Sequence, residues 1–361
     1  MPGLTYKDAG VDQEAAGRLA ARAAELARGT FGPQILADAP GGPGGAPAAT
    51  AFSIDRDPGL LARRVRRPVL VGAANGVGTK LRLAHATGRH EAVGIDLVAL
   101  SANDVIALGA RPLFFLHYLA TGRIDPSEGE AVLRGVAEGC RLAGCALLGG
   151  ETAEMRELHA PGTYDLAGFC VGIADRRKLI DGRAVEAGDA ILGLASSGLH
   201  ANGYTLARRA LLEEAKLRLE AHIEELGRTL AEELLDPARV YRGAVEAVLA
   251  HYPVKGIVHA LAHVKAGGLV AALARVAGKG LAARVRRKAL HTPPIFHVIE
   301  RAGKVEPEEM FRVFNMGVGM LLVCPKYNAA AICKRLARHG CPARRIGEIV
   351  RDRGKGKVEI K

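Results

Sequence analysis

The chain has 361 residues, more than one ordinary core holds, so two α/β domains are expected. Hydrophobic residues at 49% and charged residues at 24% exclude a disordered or fibrous class. The formal charge of +12 is fed by the runs Arg63-Arg64-Val65-Arg66-Arg67 and Arg284-Val285-Arg286-Arg287-Lys288, but Trp is absent and aromatics are only 4%, so solvated basic faces fit better than a nucleic-acid platform that stacks bases.

The six cysteines, Cys140, Cys145, Cys170, Cys324, Cys333 and Cys341, form no Cys-x-x-Cys pair and are too sparse for a disulfide scaffold, so reduced, mostly buried thiols are expected. The start, Met1-Pro2-Gly3-Leu4-Thr5, lacks a basic-then-apolar signal, and no apolar run nears the roughly 20 residues that span a bilayer. A cytoplasmic protein without membrane or nucleic-acid partners is the expectation.

In chain order, residues 12–28 carry helical spacing. Residues 38–50, rich in Gly, Pro and Ala, read as a loop. Pro68 to Ala73 is a short strand ending in a Gly-rich turn, Asn75 to Lys80, which leads into a helix carrying Leu81, Leu83 and Ala84. Val93 to Val98 opens the next element, and 100–109 have helical spacing. Pro112 to Leu119 reads as a strand, 127–143 as a helix, Ala146 to Gly149 and Leu166 to Ile173 as strands. The polar stretch 174–189 is taken as the boundary between domains 1–175 and 176–361. Beyond it come a strand at Ala190 to Ala195, a long charged helical region at 205–235, a strand–loop–helix unit at 256–277, a strand at Met316 to Cys324, a helix at 326–338 and a strand at Arg345 to Val350. The mixture predicts an α/β or α+β fold.

Five segments carry chemistry. In Asn75-Gly76-Val77-Gly78-Thr79-Lys80, glycines allow backbone N–H groups to close on an anion, and Lys80 offers a point charge to phosphate; the spacing fits neither Walker A nor Gly-x-Gly-x-x-Gly. Asp96 and Asp104, with Asn75, are hard-oxygen candidates for Mg²⁺, set against a helix cap at Asp96 and a surface pair at Asn103-Asp104. Gly149-Gly150-Glu151-Thr152 follows a buried strand, where ligand-facing loops are common. Ser196, Ser197, Gly198, His200 and Asn202 suit a substrate phosphate, with His200 as an acid–base candidate. His259 and His263 stand at i and i+4, but the Glu of a zinc-protease motif is missing; Lys265 with Gly267 and Gly268 reads as another anion loop.

Taken in order, Tyr6–Asp12, Gly76–Leu81, Gly94–Val98, Gly149–Met155, Tyr164–Phe169, Ser196–Gly198, Asn202–Tyr204 and Phe314–Met320 resemble the phosphoribosylformylglycinamidine cyclo-ligase family, also called aminoimidazole ribonucleotide synthetase, over nearly the whole chain. The resemblance implies a two-domain subunit, a homodimer whose N-terminal sheets join, and ATP, Mg²⁺ and formylglycinamidine ribonucleotide as ligands. It implies Lys80, Asp96 and His200 as catalytic candidates and the segments at 75–80 and 149–152 as the ATP site.

The chain departs from the family pattern at Asn75 and His117, where the family has Asp; at Arg156-Glu157, where it has Pro-Gly; at Lys265-Ala266, where it has Thr-Gly; and at Leu199, where it has Pro. The Gly-Gly-Phe-Gly segment is only loosely echoed by Gly41 to Gly45. Formal counting gives a site up to about four units more positive. These departures set an active cyclo-ligase beside a same-fold paralogue that binds nucleotide without cyclising. A third reading is another ATP-using member of the superfamily resembling thiamine-monophosphate kinase or selenophosphate synthetase; the latter would want a reactive N-terminal Cys, and none precedes Cys140.

Overall fold

A computed structural model describes residues 13–38, 50–63, 65–252, 256–352 and 358–361. The motif at Tyr6–Asp12 and the Gly41–Gly45 echo lie outside the described residues, as does the loop at 38–50 except for its two ends. Those ends, Asp38 and Thr50, pair across two short antiparallel strands, β1 (Ile35–Asp38) and β2 (Thr50–Phe52). Contacts divide the chain into two units, 1–102 with 112–175 and 103–111 with 176–361, so the segment 103–111 belongs with the C-terminal half.

The first unit opens with α1 (Gln13–Arg28), β1, β2 and α2 (Pro58–Arg63). It continues through β3 (Pro68–Gly76), α3 (Leu81–Thr87), α4 (Glu91–Ala107), β4 (Arg111–Thr121), α5 (Pro126–Ala143), β5 (Ala146–Glu154) and β6 (Tyr164–Asp175). Its sheet has the order β3-β6-β4-β5, antiparallel at β3/β6 and parallel at β4/β5. α4 is one continuous helix where the sequence reading saw two pieces. It is apolar nearly all round because it is buried nearly all round, which erases the helical period.

α5 shows the opposite case, in which local signals suffice. Asp125 caps its N-terminus through Ser127 N and Glu128 N, Pro126 occupies the first turn, and Val132, Leu133, Val136, Ala137 and Cys140 make the buried stripe. Left-handed Gly144 ends it, with Gly144 N donating to Arg141 O and Cys145 N to Cys140 O. Where α4 meets α5, a Cβ on Gly94 would strike Val132 O and one on Gly135 would strike Glu91 O, so both glycines exist to let the helix backbones touch.

The second unit contains β7 (Ala190–Ala195), α6 (Tyr204–Arg208), β8 (His222–Ile223), β9 (Arg228–Thr229), α7 (Leu230–Leu235), α8 (Arg242–His251), β10 (Ala260–His263) and α9 (Gly268–Ala277). β11 (Leu281–Val285), α10 (Pro294–Gly303), α11 (Pro307–Val313), β12 (Val318–Cys324), α12 (Ala329–Arg338), β13 (Ala343–Arg351) and β14 (Val358–Ile360) complete it. The six-stranded sheet runs β10-β12-β7-β13-β11-β14, antiparallel except at β11/β14. Every residue of β12 is buried, which is why its sequence is a continuous apolar run.

The helix expected over 205–235 is corrected. α6 passes into one stretch of π-helix at Arg209–Glu214, Lys216 takes φ 53°, and the β8–β9 hairpin intervenes before α7 restarts on a Thr229/Glu232 capping box. None of the six cysteines is in a disulfide, and all but Cys333 are buried.

Candidate active site

In the first unit, β3 runs three residues beyond the expected strand end, so Asn75 and Gly76 lie on the strand, opposite Gly168 and Ala167 of β6. Asn75 Nδ2 donates to Ser101 Oγ at 3.3 Å, and Ser101 Oγ donates to Gly168 O at 3.4 Å. Gly168 must lack a side chain because Phe115 and Leu97 fill the space above it. The turn then closes as a single 3-10 turn, Gly78–Lys80, with Gly78 at φ 71°.

The turn delivers Lys80 into the interior. Its side chain is 0% exposed and its Nζ lies 2.6 Å from Asp96 Oδ2, itself 0% exposed. A buried ammonium in a carboxylate's field ties the turn before α3 to α4.

The segment Gly149-Gly150-Glu151-Thr152 is strand, not loop. Leu148 is the extra residue of a bulge in the β4/β5 ladder, where Phe115 pairs with Leu147 and Leu116 with Gly149. Gly149 takes φ 144°, which favours glycine, and Gly150 lies against the His117 ring and carbonyl, leaving no room for a Cβ. Gly150 and Glu151 face solvent, whereas Thr152 turns inward to line a small cavity with Thr121, Glu128 and Tyr164. Beside that cavity His90 Nδ1 and Tyr164 Oη are 2.8 Å apart.

In the second unit, the loop after β7 is held by its own side chains. Ser196 Oγ donates to Asn315 Oδ1 at 3.1 Å, and Asn315 Nδ2 donates to Gly198 O at 2.9 Å and Leu199 O at 3.1 Å. Ser197 Oγ donates to Pro237 O at 2.7 Å. His200 takes φ 62° and is 1% exposed; its Nε2 accepts from Ser197 N at 3.2 Å and Arg239 N at 3.5 Å. Through these contacts the ring latches the loop from the interior. Asn202 is half-buried just before α6. Asn315, absent from the predicted site residues, is the hub of this loop. The left-handed pair Met316 (φ 51°) and Gly317 (φ 89°) beside it is the feature a reader of Asn315-Met316-Gly317 had to go on.

His259 and His263 flank a strand, not a helix face, and part company: His259 Nδ1 lies 2.7 Å from Asp189 Oδ2, His263 Nδ1 3.0 Å from Asp104 Oδ1. Lys265 Nζ donates to the other Asp104 oxygen at 2.6 Å. Gly267 (φ 87°) leads into α9, and Gly268 (φ 60°) is pressed against the Phe311 and Arg312 backbone, while Leu269 N donates to Phe314 O. The glycine pair thus serves close backbone packing.

Asp96 and Asp104 sit eight residues apart on continuous α4, about 12 Å along its axis, and each carboxylate already faces a lysine. Among the described residues no group of three or more His, Cys, Asp or Glu could hold a metal.

The added charge at the departures is balanced locally. Lys265 faces Asp104, and Arg156 Nη2 lies 3.3 Å from Glu154, whose side chain is 2% exposed. Burial pushes His117 down to about 4, against a smaller opposing pull from the Gly149 backbone, so the ring is neutral at pH 7.

Comparison with known proteins follows the two units. Residues 57–174 match the model of AIR synthase related protein, N-terminal domain, and residues 186–360 that of AIR synthase related protein, C-terminal domain. A phosphoribosylformylglycinamidine cyclo-ligase of Sorangium cellulosum is 48% identical over 96% of this chain and 95% of its own length. One of Myxococcus xanthus is 45% identical over 99% of both. Among solved structures, thiamine-monophosphate kinase from Stenotrophomonas maltophilia superposes with TM-score 0.68 at 19% identity, covering 93% of this chain and 95% of that one, a shared fold. The chain belongs to the phosphoribosylformylglycinamidine cyclo-ligase family.

Proposed function

We propose that this chain catalyses the ATP-dependent closure of formylglycinamidine ribonucleotide to aminoimidazole ribonucleotide, a step of purine biosynthesis. The observation that carries the reading is near-full-length identity of 48% to a curated cyclo-ligase. ATP gives its γ-phosphoryl group to the formyl oxygen, the amidine nitrogen attacks the activated carbon, and phosphate leaves as the ring forms. Such a reaction asks the protein chiefly for positioning and charge neutralisation. The glycine-shaped backbone at 76–80 and 149–150 and the Asn315-latched loop at 196–200 supply rigid polar surfaces for ATP and for the nucleotide substrate.

Mg²⁺ belongs to the reading. An ion that keeps several waters and rides on ATP phosphates needs one or two protein oxygens, not a closed cage, and Asn75 and Glu151 are donors of that class. When bound, it would offset phosphate charge. The charge introduced by Lys265 and Arg156 is offset by Asp104 and Glu154, which supports the active reading over a paralogue that binds without cyclising.

A homodimer joined through the first unit's sheet is also part of the proposal. One face of that sheet exposes Leu70 (62%), Phe169 (46%) and Leu116 (38%), a run of apolar side chains that a partner sheet would cover. A cytoplasmic setting fits six cysteines outside any disulfide. Among the described residues no helix is long and apolar enough to cross a membrane.

The test is ADP release by the purified chain with Mg²⁺-ATP, with and without formylglycinamidine ribonucleotide, together with chromatographic detection of aminoimidazole ribonucleotide. Substrate-independent ADP release with no aminoimidazole product would refute the reading.

A further inference from the structure

We propose that His263 is the proton acceptor of the ring-closing step, with Asp104 and Lys265 as its positioning residues. The inference rests on the cyclo-ligase reading for its substrate, and on the second unit's geometry for everything else.

His263 is 3% exposed at the end of β10, where it pairs in register with Met320 of β12. Its carbonyl accepts from Arg275 Nη2 at 2.6 Å, which fixes the backbone. Its Nδ1 lies 3.0 Å from Asp104 Oδ1, and the second Asp104 oxygen accepts from Lys265 Nζ at 2.6 Å. A carboxylate at Nδ1 selects the tautomer that carries its proton there, so Nε2 presents a lone pair. That Nε2 is buried and has no hydrogen-bond partner among the described residues.

A buried polar atom left unsatisfied costs free energy, so its retention in a ring otherwise held at both backbone and Nδ1 calls for a partner from outside the chain. The group runs outward, since the Asp104 and Lys265 side chains are 21% and 31% exposed while that of His263 is 2% exposed.

The partner this lone pair fits is an N–H donor that becomes acidic during reaction. As the amidine nitrogen attacks the activated formyl carbon, its lone pair forms the new C–N bond. The bond from that carbon to the phosphoryl-bearing oxygen breaks, and its electron pair leaves on phosphate. The N–H proton passes to Nε2, giving an imidazolium held by Asp104, and is then released to water. Lys265 holds the Asp104 carboxylate in place throughout.

The experiment uses the full chain. Removing a positioned base costs about 10²–10⁴-fold in rate. His263→Asn, which retains a donor toward Asp104, is expected to lower kcat about a hundredfold or more while leaving KM for ATP within about threefold. His263→Gly is expected to be rescued by imidazole and much less by thiazole, a ring of similar size and far lower basicity. Asp104→Asn is expected to lower kcat with the same KM pattern. Turnover of His263→Asn within about threefold of the parent, or equal rescue by the two rings, overturns the proposal. Nitrogen-15 histidine spectra of the parent decide the dyad without turnover: a neutral His263 with its proton on Nδ1 and an Nε2 resonance that shifts on adding the nucleotide substrate supports it. The opposite tautomer, or an Nε2 indifferent to substrate, overturns it. A parent inactive in ADP release refutes the cyclo-ligase reading itself, and the spectra keep the two failures apart.

Discussion

At the scale of single residues, Lys80 and Asp96, both expected at the ligand site, meet in one buried pair. Lys80 was legible as a cation in a Gly-rich turn, but whether it faced a phosphate or a carboxylate depended on where Asp96, sixteen residues on, would lie. Lys80→Met should strand the Asp96 carboxylate in the interior and destabilise the chain by about 3–5 kcal/mol in urea titration, whereas a surface phosphate ligand would leave stability nearly unchanged. His117 gives a pH prediction. Its folded value of about 4 lies below the ordinary histidine value, so the unfolded chain binds more protons between the two. Its contribution is fully present above about pH 6.5 and is lost as pH falls through 4, amounting to roughly 3 kcal/mol. His117→Gln should flatten the fall in stability over that window, measured by denaturant midpoints from pH 4 to 7.

At the scale of elements, glycines decide more than charges do. Gly94 and Gly135 form a reciprocal contact through which α4 and α5 touch backbone to backbone. Gly135→Ala should force the helices apart and cost about 1–3 kcal/mol or more, read by thermal or chemical unfolding, while Gly17→Ala, with open space at its Cβ, should be neutral or slightly stabilising. α5 and β7 were legible because cap, stripe and stop signals are local. α4 was legible only in pieces, since full burial removes the period that betrays a helix. The broken region after α6 was misread because its charged, Glu- and Leu-rich sequence carries helix propensity that the π-helical segment, Lys216 at positive φ and the β8–β9 hairpin override.

At the scale of the whole molecule, the apolar sheet face predicts association. Leu70→Lys should lower the oligomeric mass seen by light scattering, with the second unit's fold intact; an unchanged mass would place the partner elsewhere. The thiols predict a second bulk property: Ellman's reagent should react slowly with the folded chain, Cys333 first, and rapidly with all six after denaturation.

The order of short motifs along the chain was enough to determine family membership and the α/β class, because each motif is a local solution to a turn, a strand end or a close backbone approach and survives being read without its neighbours. The partners of Lys80, His200, Asp104 and His263 were decided only by tertiary structure. A lysine, a histidine or an aspartate takes its chemistry from the partner it meets, and Asp96, Ser197, Lys265 and Asp104 reach those side chains through the folding of the backbone rather than through spacing along it.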